Sequence, residues 1–178
     1  MKIDKITTGK RLSLRTLMDK EAHGQDKTWV QDACVNQYLE LRHTIPKRGE
    51  LKKFIARMNE SPDNLLLGIF IAGDKHIGNI KLGPIDWRNK RGVLGLMIGD
   101  RGCWGKGYAT EAIITLTDYA FTALNLNKVH AGCYAENIAS YKAFMKSGYK
   151  EEGRQREYWK IHNGFMDNIL LGKTQSNE

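Results

Sequence analysis

The stretch of this chain best equipped for chemistry is Trp104-Gly105-Lys106-Gly107-Tyr108-Ala109-Thr110-Glu111-Ala112. It lies between an apolar run at residues 92–98 and a pattern with helical spacing. N–H groups at the start of a helix have no partners within it, and the macrodipole places partial positive charge there, so such a turn suits an anion. Glycines at 105 and 107 remove Cβ atoms and let an anion approach the main chain closely. Lys106, between them, can add a cation. The chain lacks G-x-x-x-x-G-K-S/T, which disfavours a nucleoside-triphosphatase loop. A dinucleotide fingerprint needs a third glycine early in a βαβ unit, whereas Gly105-Lys106-Gly107 is followed by Thr110 after several antiparallel strands. A glycine-rich loop that merely turns a corner fits the G-x-G spacing equally well, and the spacing alone leaves these readings open.

Holding such a turn requires a strand before it and a helix after it. Gly92-Val93-Leu94-Gly95-Leu96-Met97-Ile98 is apolar on both faces and predicts a central strand. From about Gly107, Ala109, Ala112, Ile113, Leu116 and Ala120 recur at helical spacing, with Thr110, Glu111, Thr115 and Asp118 expected to face away. Upstream, Arg11-Leu12-Ser13-Leu14-Arg15 alternates as a half-buried strand does. Residues 18–42 fit one or two short helices carrying Trp29, Ala33, Val35, Tyr38, Leu39 and Leu41, ended by Pro46, and Leu51, Phe54, Ile55 and Met58 make one helical stripe. Ser61-Pro62-Asp63-Asn64 is a turn, and residues 65–72 and 75–82 flank Gly73-Asp74-Lys75 as a hairpin closed by Gly83-Pro84. Residues 128–134 predict another strand and 139–146 a short helix stopped at Ser147-Gly148. Residues 149–171 predict two further strands around His162-Asn163-Gly164. Strands joined first by hairpins and then by crossover helices predict an α/β (α+β) architecture with a mixed sheet. Without repeat or linker, residues 1–178 read as one domain.

The 28 Lys and Arg against 20 Asp and Glu leave a net charge of +8. That favours nucleic acid, acidic surfaces or phosphate-bearing small molecules as partners, or serves only solubility. No apolar run approaches the ~18–20 residues that span a bilayer, and the first ten residues lack a secretory signal's apolar stretch. Cys34, Cys103 and Cys133 are odd in number and widely spaced, which offers neither a disulfide framework nor a metal knuckle. A reduced, cytoplasmic protein without a metal or a membrane partner is expected.

Taken with its neighbours the glycine turn becomes more specific. Gly95-Leu96-Met97-Ile98-Gly99-Asp100 followed by residues 104–112 resembles the acyl-CoA signature of the GNAT superfamily of N-acyltransferases. The resemblance continues through Asn127-Lys128-Val129-His130, Asn137-Ile138-Ala139-Ser140 and residues 146–153. It is greatest to the branch containing ribosomal-protein alanine acetyltransferases and covers about residues 75–172, with 29–32 and 65–80 fitting more loosely. The resemblance implies a GNAT fold, a mostly antiparallel sheet flanked by helices in which two parallel strands, here 93–98 and 128–134, splay apart around the pantetheine arm. It implies that main-chain groups of Leu96, Met97 and Ile98 pair with the pantetheine amides, as an added strand does. It places the turn from Trp104 through Gly105, Lys106, Gly107, Tyr108 and Ala109 against the pyrophosphate. Asn137 and Ser140 fall near the pantetheine end, and Lys142 within reach of the phosphates. Such folds often have apolar edges that support a homodimer.

The implied activity is acetyl-CoA-dependent N-acetyl transfer to a primary amine, by direct attack in a ternary complex. Protein N-termini suit the branch, and a nucleotide-linked amino sugar suits the positive charge. Polyamines are disfavoured by that charge unless a local acidic pocket overcomes it. An α-amino group titrates near ~8 and lysine near ~10.4, so a proton must leave the amine, an oxyanion must be stabilised and the departing thiolate protonated. A backbone N–H at Leu96–Met97 is the candidate oxyanion donor. Many members of the superfamily carry a tyrosine seven residues after the asparagine as acid; Phe144 stands there and cannot donate. In the ribosomal-protein branch a serine three residues after the asparagine lies near the thiol, and Ser140 matches it, as thiol-orienting or proton-donating catalytic residue; helix capping is its other reading. For the base, Glu136, His130, Tyr134 and Asp167 compete with Glu111 and with a water chain. Trp29 and Trp87 are candidates for the acceptor pocket or for the core. A reading from another class keeps the fold without turnover, as a CoA-sensing or RNA- or ribosome-binding module.

Overall fold

Alternating Leu12, Leu14 and Thr16 bury one face of β1 (Leu12–Thr16). The computed structural model describes residues 1–7, 11–18, 21, 25–43, 49–161 and 163–175. Two short helices, α1 (Gln25–Gln31) and α2 (Ala33–Asn36), follow, the second capped by the Asp32 side chain. The predicted stop at Pro46 lies outside the described residues. The 51/54/55/58 stripe forms α3 (Glu50–Glu60). The hairpin forms as β2 (Leu65–Ile71) and β3 (Lys75–Asp86). β3 outruns the expected close at Gly83-Pro84 because it resumes pairing past an irregularity, with Ile85 opposite Gly92 and its N–H donating to the Asp63 carbonyl. Then come β4 (Arg91–Ile98), α4 (Tyr108–Thr122), β5 (Lys128–Tyr134), α5 (Ile138–Lys146), β6 (Lys150–Ile161) and β7 (Gly164–Thr174). Of the predicted last turn, His162 lies outside the described residues.

The strands form one seven-stranded sheet in the order β1-β2-β3-β4-β5-β7-β6. Only β4 and β5 run parallel; every other neighbouring pair is antiparallel. One face carries α4 and α5 over a core that includes Leu14, Leu67, Ile80, Leu94, Leu116 and Phe144. Beneath the other face Ile55 and Met58 of α3 pack with Leu17, Leu66 and Phe70. β4 is central, as predicted, but its residues are not enclosed on both sides. Leu94 is buried while Gly95 is exposed and Leu96, Met97 and Ile98 are half-buried, because this part of the strand borders an opening.

Thr115, expected to face water, is fully buried: its hydroxyl donates to the Glu111 carbonyl one turn back, so its polarity is met within its own helix. Thr117 is also buried, hydrogen-bonded at 2.8 Å to the Tyr149 hydroxyl. Tyr149→Phe strips Thr117 of its partner without changing the packing shape. Urea unfolding should show a loss of about 1–2 kcal/mol, and cofactor affinity should stay unchanged, since neither residue lines the opening described next.

Candidate active site

The parallel ladder between β4 and β5 ends early. Arg91, Gly92 and Val93 pair with Lys128, Val129 and His130, and beyond them the strands have no pairing with each other. β4 keeps its ladder to β3 on one edge out to Ile98, so past Val93 the opposite edge has N–H and C=O groups without a strand partner. A crevice of about 1160 Å³ occupies the parting. It is lined on the α4–α5 face by residues such as Gly107, Thr110, Asn137 and Ser140, and on the α3 face by Leu51, Phe54 and Ile55, with Gly95 to Ile98 between.

The loop leading into α4 is braced on several sides. Asp100 accepts from the Gly102 N–H and pairs with Lys75 at 2.6 Å; that hydrogen bond to Lys75 holds its carboxyl below the usual range. The Trp104 indole N–H donates to the Ile98 carbonyl at 2.8 Å. Arg11 donates to Glu111 Oε2 and to the Lys106 carbonyl and lies 5.0 Å from the Tyr108 ring centroid, tying the start of β1 to the turn. Gly105 and Gly107 adopt left-handed φ of +72° and +81°, a region where a Cβ is strained. Gly107 is the N-cap and supplies no side chain, so the first amides of α4 have no side-chain cap.

All the residues the sequence pointed to for cofactor binding line this crevice except one: Leu96, Met97, Ile98, Trp104, Gly105, Gly107, Tyr108, Ala109, Asn137, Ser140 and Lys142 do. Lys106 does not. Between two left-handed glycines its side chain is turned out to solvent, and Arg11, Lys142 and Lys146 supply the cations on this side instead. The bare amides, the cations and the free edge of β4 fit a long ligand with an anionic head and an amide-bearing tail.

On α5 the Asn137 side-chain oxygen accepts from the Ser140 N–H at 3.2 Å, so Asn137 and not Ser140 is the cap. The Ser140 hydroxyl has no hydrogen bond among the described residues and faces the crevice. Phe144 is buried edge-on against Tyr149 at 5.0 Å, and the Tyr149 hydroxyl is held by Thr117. Tyr141 donates to Glu151 and does not line the crevice.

Among the base candidates, only Tyr134 and Glu111 reach the crevice. Glu111 is paired with Arg11 at 2.7 Å. His130 sits in the closed part of the β4–β5 ladder, where burial, then Lys128 and Arg91, pushes its pKa down. Asp167 accepts from the Glu157 N–H and faces Arg154, and Glu136 is exposed outside the lining. Tyr134 donates to Glu40, accepts from Arg42 and stacks on Trp159 at 4.6 Å. Burial, aided by Glu40, pushes its phenol up to about 12, so it stays protonated at neutral pH. A group titrating at 12 cannot take a proton at pH 7. The acid limb of kcat/KM should therefore follow the acceptor amine's own pKa, shifting when the acceptor is changed and staying in place in Tyr134→Phe and His130→Gln, as a pH–rate series would read.

The sequence reading missed Glu40, Arg42, Trp159, Arg11 and Lys81 on or beside the crevice. Trp29 and Trp87 do not line it: Trp29 is buried against His76 at 4.9 Å, and Trp87 donates to Asp63 at the surface. Among the described residues there is no group of three or more His, Cys, Asp or Glu that could hold a metal ion, and no helix is long and apolar enough to cross a membrane.

Comparison with known proteins converges on one family. A family model described as "Acetyltransferase (GNAT) domain" matches residues 11–150. The "Uncharacterized N-acetyltransferase p20" of Bacillus licheniformis is 32% identical over 161 residues, covering 88% of this chain and 89% of that protein. Among solved structures, the spermidine N-acetyltransferase of Vibrio cholerae in complex with CoA and spermine shares the fold with a TM-score of 0.84 at 22% identity, covering 92% of this chain and 95% of its own. RimL, a ribosomal alpha-N-protein acetyltransferase in complex with coenzyme A, does so with a TM-score of 0.86 at 15% identity, covering 96% and 98%.

Proposed function

The chain belongs to the acetyltransferase (GNAT) domain family, whose members draw an acetyl group from acetyl-CoA, and on that premise we propose that it acetylates a primary amine by direct attack in a ternary complex. One observation carries the reading: a single crevice passes through the sheet where β4 and β5 part, and it is lined from both faces. Cofactor entering over α4 and α5 and amine entering over α3 then meet in the gap, and holding them together supplies much of the rate. Burial pushes the Cys133 thiol up to about 11 and also raises Cys103, which leaves little thiolate for an acyl-enzyme at either of those two positions.

In this reading the amides from Gly105 to Ala109 bind the diphosphate, Lys142 supports the phosphates, and the open edge of β4 at Leu96, Met97 and Ile98 takes the pantetheine amides. An N–H at Leu96 or Met97 stabilises the developing oxyanion. The carboxamide nitrogen of Asn137, left over after capping, donates near the pantetheine end, and Ser140 orients or protonates the leaving sulfur. The amine loses its proton to water. Residues 1–178 act as one such domain in the cytoplasm. A protein N-terminus is supported by the fold shared with RimL, and an amino sugar by the cations of the crevice.

The test is release of free thiol from acetyl-CoA by purified protein offered basic peptides, nucleotide amino sugars and spermidine. Failure to bind acetyl-CoA at millimolar concentration refutes the reading. Binding without acetylation of any amine, together with RNA affinity that falls steeply with salt, moves the assignment to a non-catalytic module.

A further inference from the structure

The α3 face of the crevice contains a cation that no described residue neutralises. Lys81 on β3 stands in register between Leu66 of β2 and Gly95 of β4. Leu66 belongs to the α3-side cluster, so Lys81 and Gly95, directly opposite in the pleat, point to the same face. Lys81 is half-buried and lines the crevice, walled by the apolar Leu51, Phe54 and Ile55. Its ammonium has no hydrogen bond or ion pair among the described residues. Two carboxylates line the crevice among those residues, and both are engaged: Glu111 with Arg11, and Glu40 with Tyr134 and Arg42. Desolvation and the nearby Arg57 charge both lower the Lys81 pKa. A cation withdrawn from water beside a second cation is unfavourable unless something anionic joins it.

We propose that Lys81 is the anion subsite of the acceptor pocket, and that the acceptor is a small amine carrying a carboxylate or phosphate a few bonds from its nitrogen. This rests on the acetyltransferase reading and narrows it. The separation of the two groups follows from the sheet. Gly95 lies one strand from Lys81, about 4.8 Å away, on the strand bordering the gap where the amine must arrive. A Cβ at Gly95 would meet nothing within 4 Å, so the floor between the two points is open. A lysine side chain extends across that interval. A polyamine would instead place positive charge against Lys81, although a spermidine acetyltransferase shares this fold.

Matched acceptor pairs test it: phenylalanine against 2-phenylethylamine, and glucosamine 6-phosphate against glucosamine, each pair differing only in the acid group, with spermidine alongside. The acid-bearing member of at least one pair should have a kcat/KM at least tenfold above its partner, and which pair responds tells carboxylate from phosphate. Lys81→Met should collapse that ratio to within about threefold and Lys81→Arg should keep it, with CoA affinity as the check on folding. Indifference to the acid group in both pairs, retention of the ratio in Lys81→Met, or a preference for spermidine overturns the subsite and leaves the acetyltransferase reading standing. Where turnover is too slow to read, binding of the same pairs in the presence of CoA gives the ratio. Absence of CoA binding itself defeats the broader reading instead.

Discussion

Ser140→Ala should lower kcat for acetyl transfer by about 100-fold or more, in the range ascribed to loss of a positioned proton donor. The dissociation constant for CoA should move by no more than about twofold, roughly 0.4 kcal/mol. The asymmetry follows from the surroundings of the residue. Its N–H, which holds the Asn137 cap, survives the substitution, so α5 keeps its start. The only thing lost is a hydroxyl that has no hydrogen-bond partner among the described residues and belongs to a residue lining the crevice. No phenol on α5 or between it and β6 can take over. Position 144 is phenylalanine in the core, Tyr149 is bonded to Thr117, and Tyr141 is turned to Glu151. Tyr134 lines the same crevice, but a phenol held by Glu40 and Arg42 is not free to reorient. Single-turnover kinetics beside calorimetric CoA binding separates the two effects. Equal losses in both quantities would reduce Ser140 to a structural position.

Gly105→Asp tests the other half of the site. Aspartate tolerates the left-handed region better than most residues, and a Cβ at Gly105 meets no atom within 4 Å, so the fold should be retained. The new carboxylate stands beside the amides assigned to the diphosphate. Two like charges about 5 Å apart at an effective dielectric of about 20 repel by about 3 kcal/mol, which raises the CoA dissociation constant about 100-fold. Gly105→Asn has the same shape without the charge and should lose less than about tenfold. Equal effects of Asp and Asn would mean that the diphosphate binds elsewhere.

Local patterns carried most of the architecture. Period-two alternation located β1, and three-to-four spacing located α3 and α4. The glycines at 105 and 107 marked the start of α4 because left-handed backbone at a helix entry has few other solutions. Thr115 went astray because periodicity counts every threonine as polar, whereas a hydroxyl bonded to its own helix behaves as apolar surface. The long-range pairs that brace the crevice were hardest to read. Arg42 and Tyr134 are 92 residues apart, and Arg11 and Glu111 are 100 apart; nothing local announces that such pairs meet. Lys81 did leave a trace. Asn79 and Lys81 interrupt Gly78, Ile80 and Leu82 at every second place, the mark of a strand with one face turned away from the core.

In most sheets the outer strands open first and the centre opens last. The early end of the β4–β5 ladder reverses that order, because the fourth strand of seven has a bare edge inside the molecule. Deuterium uptake by the ligand-free protein should therefore be quick at those amides of β4 beyond Val93 that point away from β3, while β2, paired on both edges, holds its hydrogens. Filling the gap should slow exchange most at the middle of the sheet and hardly at its rim, so that the substrate completes a layer the polypeptide leaves unfinished.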